Sequence, residues 1–199
     1  MSFPKRMIRR ALLAILAILG CGLPGEGGKG VFTKGVWDAV ENEDLDAISA
    51  YVKDGGDLET GVTKGRTPLV HALKLKKKRS YELLLSLGAS PNTICHGGAV
   101  VIQLAAGERD SFWLYEALKA GGDANLMNDV AVGNQKCRPL RFAIRIDSLE
   151  NVKLLVEYGA DINEIDRHEV TPLTDAFDQS KYEIVLYLLE SGANYNMHV

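Results

Sequence analysis

The chain is poor in the residues that cross-link small domains or carry chemistry. It has three cysteines, four histidines, two tryptophans and six prolines in 199 residues. Three cysteines cannot supply the dense disulfide framework of a small secreted scaffold. No two of His71, His96, His168 and His198 stand at the spacing that puts two metal ligands on one helix face. There is no G-x-S-x-G nucleophile elbow and no G-x-x-x-x-G-K phosphate loop. The acidic residues are scattered through turns without a pair poised for acid–base work. The chain therefore reads as non-enzymatic, with no metal and no cofactor. A hydrolase whose site has no sequence signature is the alternative from another class.

Nor is there an apolar run of the ~20 residues that a membrane-spanning helix needs. The one uninterrupted apolar stretch near the N-terminus, Ala11 to Leu19, follows Lys5, Arg6, Arg9 and Arg10 and has the size of an export-signal core. Removing residues 1–20 leaves 19 basic against 26 acidic residues. An acidic body argues against nucleic acid or anionic lipid as the main partner.

Ile18-Leu19-Gly20-Cys21 resembles a bacterial lipobox, in which a small residue precedes a cysteine that becomes acylated. That resemblance implies a signal peptide over residues 1–20, lipidation at Cys21 and a Gly/Pro-rich tether over 21–33. An ordinary signal peptide cut nearby, with Cys21 incidental, is the competing reading. Gly22 in place of the aspartate of an inner-membrane retention signal points to the periplasmic face of the outer membrane. Gly25-Glu26-Gly27-Gly28-Lys29-Gly30 fits a dinucleotide fingerprint by letter. Pro24 precedes it where a strand is required, so it reads as tether.

From residue 34 onward the chain is periodic. Ala39, Ala72, Ala105, Ala143 and Ala176 are separated by 33, 33, 38 and 33 residues, and each is followed sixteen residues later by a glycine: Gly55, Gly88, Gly121, Gly159 and Gly192. The single 38 places a five-residue insertion between Asp123 and Arg138. Apolar residues nine, twelve and thirteen positions after each alanine, as in Tyr81, Leu84 and Leu85, make a helical stripe. Arg66-Thr67-Pro68-Leu69-Val70-His71-Ala72 and Val170-Thr171-Pro172-Leu173-Thr174-Asp175-Ala176 supply an N-capping threonine and a first-turn proline. The closing glycines suit a left-handed residue at a helix end.

These T-P-L-x-x-A openings and G-A closings resemble ankyrin repeats. The resemblance implies an all-α solenoid of about five helix-turn-helix units with projecting hairpin-like loops, over residues 34–199, with units near 34–60, 65–93, 98–126, 136–164 and 169–197. The first unit lacks the T-P opening and reads as a cap. The family often places histidine directly after T-P-L to tie the turn. Here Val70, Gln103, Arg141 and Thr174 take that place, so those bonds are expected to be missing and stability to be modest. A sixth helix pair is not expected, so Leu188 and Leu189 should be shielded by their own unit.

Stacked units of this kind imply a protein partner, met at the loops and the exposed face of the first helices. The candidate contact residues are Val62, Lys64, Arg66, Asn92, Leu126, Met127, Asp129, Asn134, Ile165, Asp166 and Glu169 in loops, and His71, Arg141 and Arg145 on first helices. The insertion is the best candidate for a specificity element. Cys95 and Cys137 lie in the loops entering units three and four, either as free thiols or as a disulfide. Lys74, Lys76, Lys77, Lys78 and Arg79 fall at the turn inside unit two, as a solvated helix end or as a contact for an acidic partner or lipid headgroups. A lipobox joined to such repeats resembles the immunity proteins of type VI secreted phospholipase effectors. That resemblance implies a monomer, or a 1:1 complex in which the effector is occluded. A general envelope scaffold docking a periplasmic enzyme is the alternative.

Overall fold

Five of the described helices begin at a capping side chain or a first-turn proline: Asp44, Thr67-Pro68, Pro139, Ser148 and Thr171-Pro172. The computed structural model describes residues 31–61, 65–98, 100–127, 138–166 and 168–195. Among these, the chain forms α1 (Val31–Asn42), α2 (Leu45–Lys53), α3 (Pro68–Lys74), α4 (Lys78–Ser86), α5 (Val101–Ala106), α6 (Phe112–Lys119), α7 (Pro139–Arg145), α8 (Leu149–Glu157), α9 (Pro172–Asp178) and α10 (Tyr182–Glu190). The pairs α1/α2 to α9/α10 are the five expected units. Helix α1 opens at Val31, inside the segment read as tether. None of the described helices is long and apolar enough to cross a membrane.

The local signals act as the sequence suggests. Thr67 and Thr171 cap α3 and α9, accepting the N–H of Val70 at 3.3 Å and of Thr174 at 3.2 Å. Pro68, Pro139 and Pro172 sit in the first turns, where no backbone donor is lost. The five closing glycines all have φ between +82° and +96°, a conformation glycine adopts without a Cβ penalty. There the chain leaves the second helix with paired bonds such as Gly88 N–H to Leu85 O and Ala89 N–H to Leu84 O.

First helices pack on first helices from α3 onward, and second helices on second helices, giving two layers. The anchoring alanines occupy equivalent buried sites in every unit, where a larger side chain would hold neighbouring helices apart. Trp113 is the largest fully buried side chain; Tyr81 packs edge-on against it at 5.1 Å and donates its hydroxyl to the Trp113 carbonyl at 3.0 Å. At the C-terminal end Leu188 is buried, but Leu189 is 40% exposed, beside exposed Phe177 and Leu186. That corrects the expected shielding: the register-mates of Leu189 in units two and three, Leu85 and Leu118, are buried.

Candidate protein-binding surface

The loops that join successive units form one edge of the stack. Two residues past four of the five closing glycines, a short polar side chain accepts the backbone N–H two positions on: Asp57 from Glu59, Ser90 from Asn92, Asp123 from Asn125 and Asp161 from Asn163. This turns the chain sharply. The side chain four residues past the glycine then reaches the next unit. Glu59 accepts from Ser90 N–H at 2.9 Å. Asn92 accepts from Asp123 N–H at 2.8 Å and donates to Gly121 O at 2.9 Å. Asn125 accepts from Asp161 N–H and donates to Gly159 O, both at 2.8 Å. Asn163 accepts from Asn194 N–H at 2.7 Å. Successive loops are thus held to one another at every seam.

The positions after the T-P-L triplet do tie turns, by different chemistry from histidine. Gln103 donates to Leu126 O at 3.2 Å, and Arg141 donates to Val170 O. Thr174 closes a capping box with Thr171, its hydroxyl accepting Thr171 N–H at 2.8 Å. The expectation of missing turn bonds is therefore corrected for units three to five.

Two expected contact residues are turned inward, and a third, the half-buried Asn92, is bonded to the neighbouring loop. His71 is buried; its Nε2 lies 3.0 Å from Glu41 Oε1 and its ring meets Trp37 edge-on at 5.2 Å. Arg141 is buried among Glu164 at 3.4 Å, Asp166 at 3.3 Å and Asp175 at 3.7 Å, while Arg138 pairs with the other Glu164 oxygen. Asn92 spends its whole amide on the seam below unit three. These side chains hold the stack together. Burial pushes the Glu164 carboxyl up, against the pull of Arg138 and Arg141. Burial also acts upward on Asp166, but the N–H groups of Val170 and His168 and the Arg141 guanidinium outweigh it and hold the carboxyl below the usual range.

Other expected residues do face outward. Arg66 lies 5.3 Å over the Trp37 ring. Arg145 stacks 4.6 Å over Phe142 and is exposed. Met127 is 42% and Ile165 68% exposed. Leu126 is half-buried, and Glu169 is exposed with φ +62°. Val62, Lys64, Asp129, Asn134, Cys137, Cys21 and nearly all of the insertion lie outside the described residues. Cys95 is buried, and burial pushes its thiol up. Ile94, 36% exposed, belongs with Met127 and Ile165 although loop composition did not single it out. All three stand six residues past a closing glycine, so counting from Gly88, Gly121 and Gly159 would have found the row.

The opposite edge carries the turns inside each unit, and here the basic run meets acids of unit three. Lys76 pairs with Glu108, and Lys78 with Asp110 at 2.7 Å; the Lys78 hydrogen bond holds the Asp110 carboxyl below its ordinary value. Lys181 and Asp147 repeat the pattern between units four and five at 3.4 Å. With Trp113, Arg145 and Ile146 these groups line a shallow groove. Its charges are largely spent on one another. Among the described residues no cluster of three or more His, Cys, Asp or Glu could hold a metal.

A family model described as ankyrin repeats in three copies matches residues 102–198. The B-cell lymphoma 3 protein homolog of Mus musculus is 32% identical over 133 residues, which are 66% of this chain and 29% of that protein. An ankyrin repeat protein of Fowlpox virus (strain NVSL) is 24% identical over 162 residues, 81% of this chain and 36% of the viral protein. The chain thus spans about a third of the length of these relatives. Among solved structures, the ankyrin repeat domain of Bcl-3, a member of the IkappaB protein family, is similar with a TM-score of 0.70 and 27% identity, over 81% of this chain and 73% of that one. None of these three is a bacterial lipoprotein. Five stacked helix pairs, the periodic caps and these matches together make the chain an ankyrin-repeat protein, built as a scaffold for protein–protein contact.

Proposed function

We propose that the protein is a lipid-anchored grip that neutralises a secreted phospholipase by stoichiometric occlusion. The observation that carries the binding half is the seam-to-seam locking of the loops by Glu59, Asn92, Asn125 and Asn163. Loops already fixed in place lose little conformational entropy when a partner docks, so more of the contact energy appears as affinity. The anchor and the choice of partner rest on Ile18-Leu19-Gly20-Cys21, which precedes the described residues, and on the resemblance of lipobox plus repeats to immunity proteins. Two acyl chains would hold the protein durably at the periplasmic face of the outer membrane, where one would not.

The experiment is a titration of phospholipase activity with the full chain, using a phospholipase encoded by a neighbouring gene; a neighbourhood without one counts against the reading. Occlusion gives inhibition that is complete at one equivalent. An enzyme that binds but keeps its activity would point to the general docking scaffold instead, and a lipase that neither binds nor slows would overturn the reading. Mass spectrometry of the mature N-terminus checks the anchor, which is lost if Cys21 carries no acyl group.

A further inference from the structure

We propose that Ile94, Met127 and Ile165 form one docking row for an extended, positively charged segment of the partner that carries an apolar side chain at every third residue. This rests on the binding-scaffold reading and deepens it by naming the chemistry of what the loop edge takes.

A single exposed apolar side chain needs no explanation. Here three occupy one register position in consecutive units, each six residues past its closing glycine, with exposures of 36%, 42% and 68%. Two residues before each stands the asparagine that ties its loop to the next unit: Asn92, Asn125 and Asn163. The row is therefore held at the repeat of the stack. Packed helices lie ~8–10 Å apart, which sets the step from one loop to the next. A polyproline-type segment returns to the same face every three residues, ~9 Å along. A β-strand presents same-face side chains every ~6.7 Å and drifts out of step by the third unit. Met127 keeps the same count from Gly121 as Ile94 does from Gly88 and Ile165 from Gly159.

Charge fixes the sign of the partner. Asp123, Asp161 and Glu169 are exposed in the loops of Met127 and Ile165, and Asp57 is exposed in the loop that precedes the row. Of the described cations there, Arg138 is paired with Glu164 and Arg66 covers Trp37. Among the described residues an approaching chain meets an acidic edge, which favours lysine and arginine between its apolar residues and rejects acids.

The experiment uses the full chain and three fluorescent synthetic peptides of equal length. One repeats Leu-Pro-Lys; one has leucine at every second residue with lysine between; one repeats Leu-Pro-Glu. Anisotropy should show the first binding at least about tenfold more tightly than the others, and weakening as salt rises. Ile94→Ser, Met127→Ser and Ile165→Ser combined should cost about tenfold or more while leaving the helical circular dichroism unchanged; Leu186→Ser, at an exposed apolar residue of the second helix α10, should cost little. Equal binding of all three peptides, no binding of the first, or a triple variant that binds like the parent would overturn the proposal. A natural partner that saturates parent and triple variant alike at one equivalent would also overturn it while sparing the scaffold reading. A parent chain that holds no protein partner at all would remove the scaffold reading itself.

Discussion

Replacing Asn151 probes the seam where the repeat is least regular. In units one, two, four and five the turn between helices closes on a left-handed residue: Glu43, Lys76, Asp147 or Ser180. Two backbone bonds accompany it, such as Lys76 N–H to Leu73 O and Lys77 N–H to Ala72 O. In unit three the equivalent bonds from Arg109 and Asp110 are not made. Asn151, fully buried on α8 of the next unit, fills the gap by donating to Ala106 O at 3.2 Å and Glu108 O at 2.7 Å. Its Oδ1 has no partner, so only the donor side matters. Asn151→Leu keeps the number of side-chain heavy atoms, though it is bulkier, and strands two carbonyls, one fully and one partly buried. At ~1–3 kcal/mol for each, the loss should be about 2–4 kcal/mol. Asn151→Ala admits water and should lose less. Asn151→Asp sets a carboxylate against two carbonyl oxygens. Its folded pKa must rise, because burial and repulsion disfavour the charged form. Its stability is then highest below the ordinary aspartate range and falls as pH rises through the raised value. Urea unfolding followed by helical circular dichroism at pH 7 and in mild acid measures all three. A Leu variant within ~0.5 kcal/mol of the parent, or an Asp variant without that pH dependence, would refute the capping role.

Asn125→Ala removes three inter-unit bonds, one of them the long 3.5 Å contact from Arg138, from a half-exposed site, so urea unfolding should show a loss of about 1–2 kcal/mol. Asp166→Asn bears on the acid limb. The parent carboxyl titrates below the usual 3.8 in the folded chain, so its contribution is present above that pH and lost as pH falls through the lowered value. The variant should show a flatter stability profile between about pH 2 and 4. Ser180→Gly, at φ +58°, should raise stability by on the order of 0.5 kcal/mol, read as a higher urea midpoint, because glycine removes the left-handed penalty but loosens the unfolded chain.

Features that depend on a few neighbouring residues were legible in the sequence. Thr67-Pro68 and Thr171-Pro172 start helices, and the closing glycines end them, because caps and φ preferences act locally. The period of the alanines located all five units. What could not be read depends on how units sit on one another. His71 follows the T-P-L triplet by one position, and that shift turns it towards Trp37 and Glu41 of unit one rather than towards solvent. Arg141 looks like a surface arginine until Glu164, Asp166 and Asp175 of the neighbouring loop and helix are placed around it. The irregular turn of unit three left no mark in composition, since its repair by Asn151 comes from 43 residues downstream of Glu108.

The two edges of the stack are held by unlike forces, and this bears on how it can bind. The turn edge is joined by solvent-exposed ion pairs such as Lys78–Asp110 and Lys181–Asp147. Such pairs contribute little and weaken with salt. The loop edge is joined mainly by amide side chains bonded to backbone at 2.7–2.9 Å, which salt does not screen; the Arg138–Glu164 and Arg141–Asp166 pairs added at units four and five are partly buried, so salt screens them less than exposed pairs. In a stack where each unit touches only its neighbours, stiffness is set seam by seam. Rising ionic strength should therefore loosen the turn edge while the spacing between loops persists. A partner that spans several loops depends on that spacing, and one that grips the turn groove does not. Salt thus separates two effects on the loop edge: it screens the partner's attraction to Asp123 and Asp161 but leaves the spacing of Ile94, Met127 and Ile165 intact.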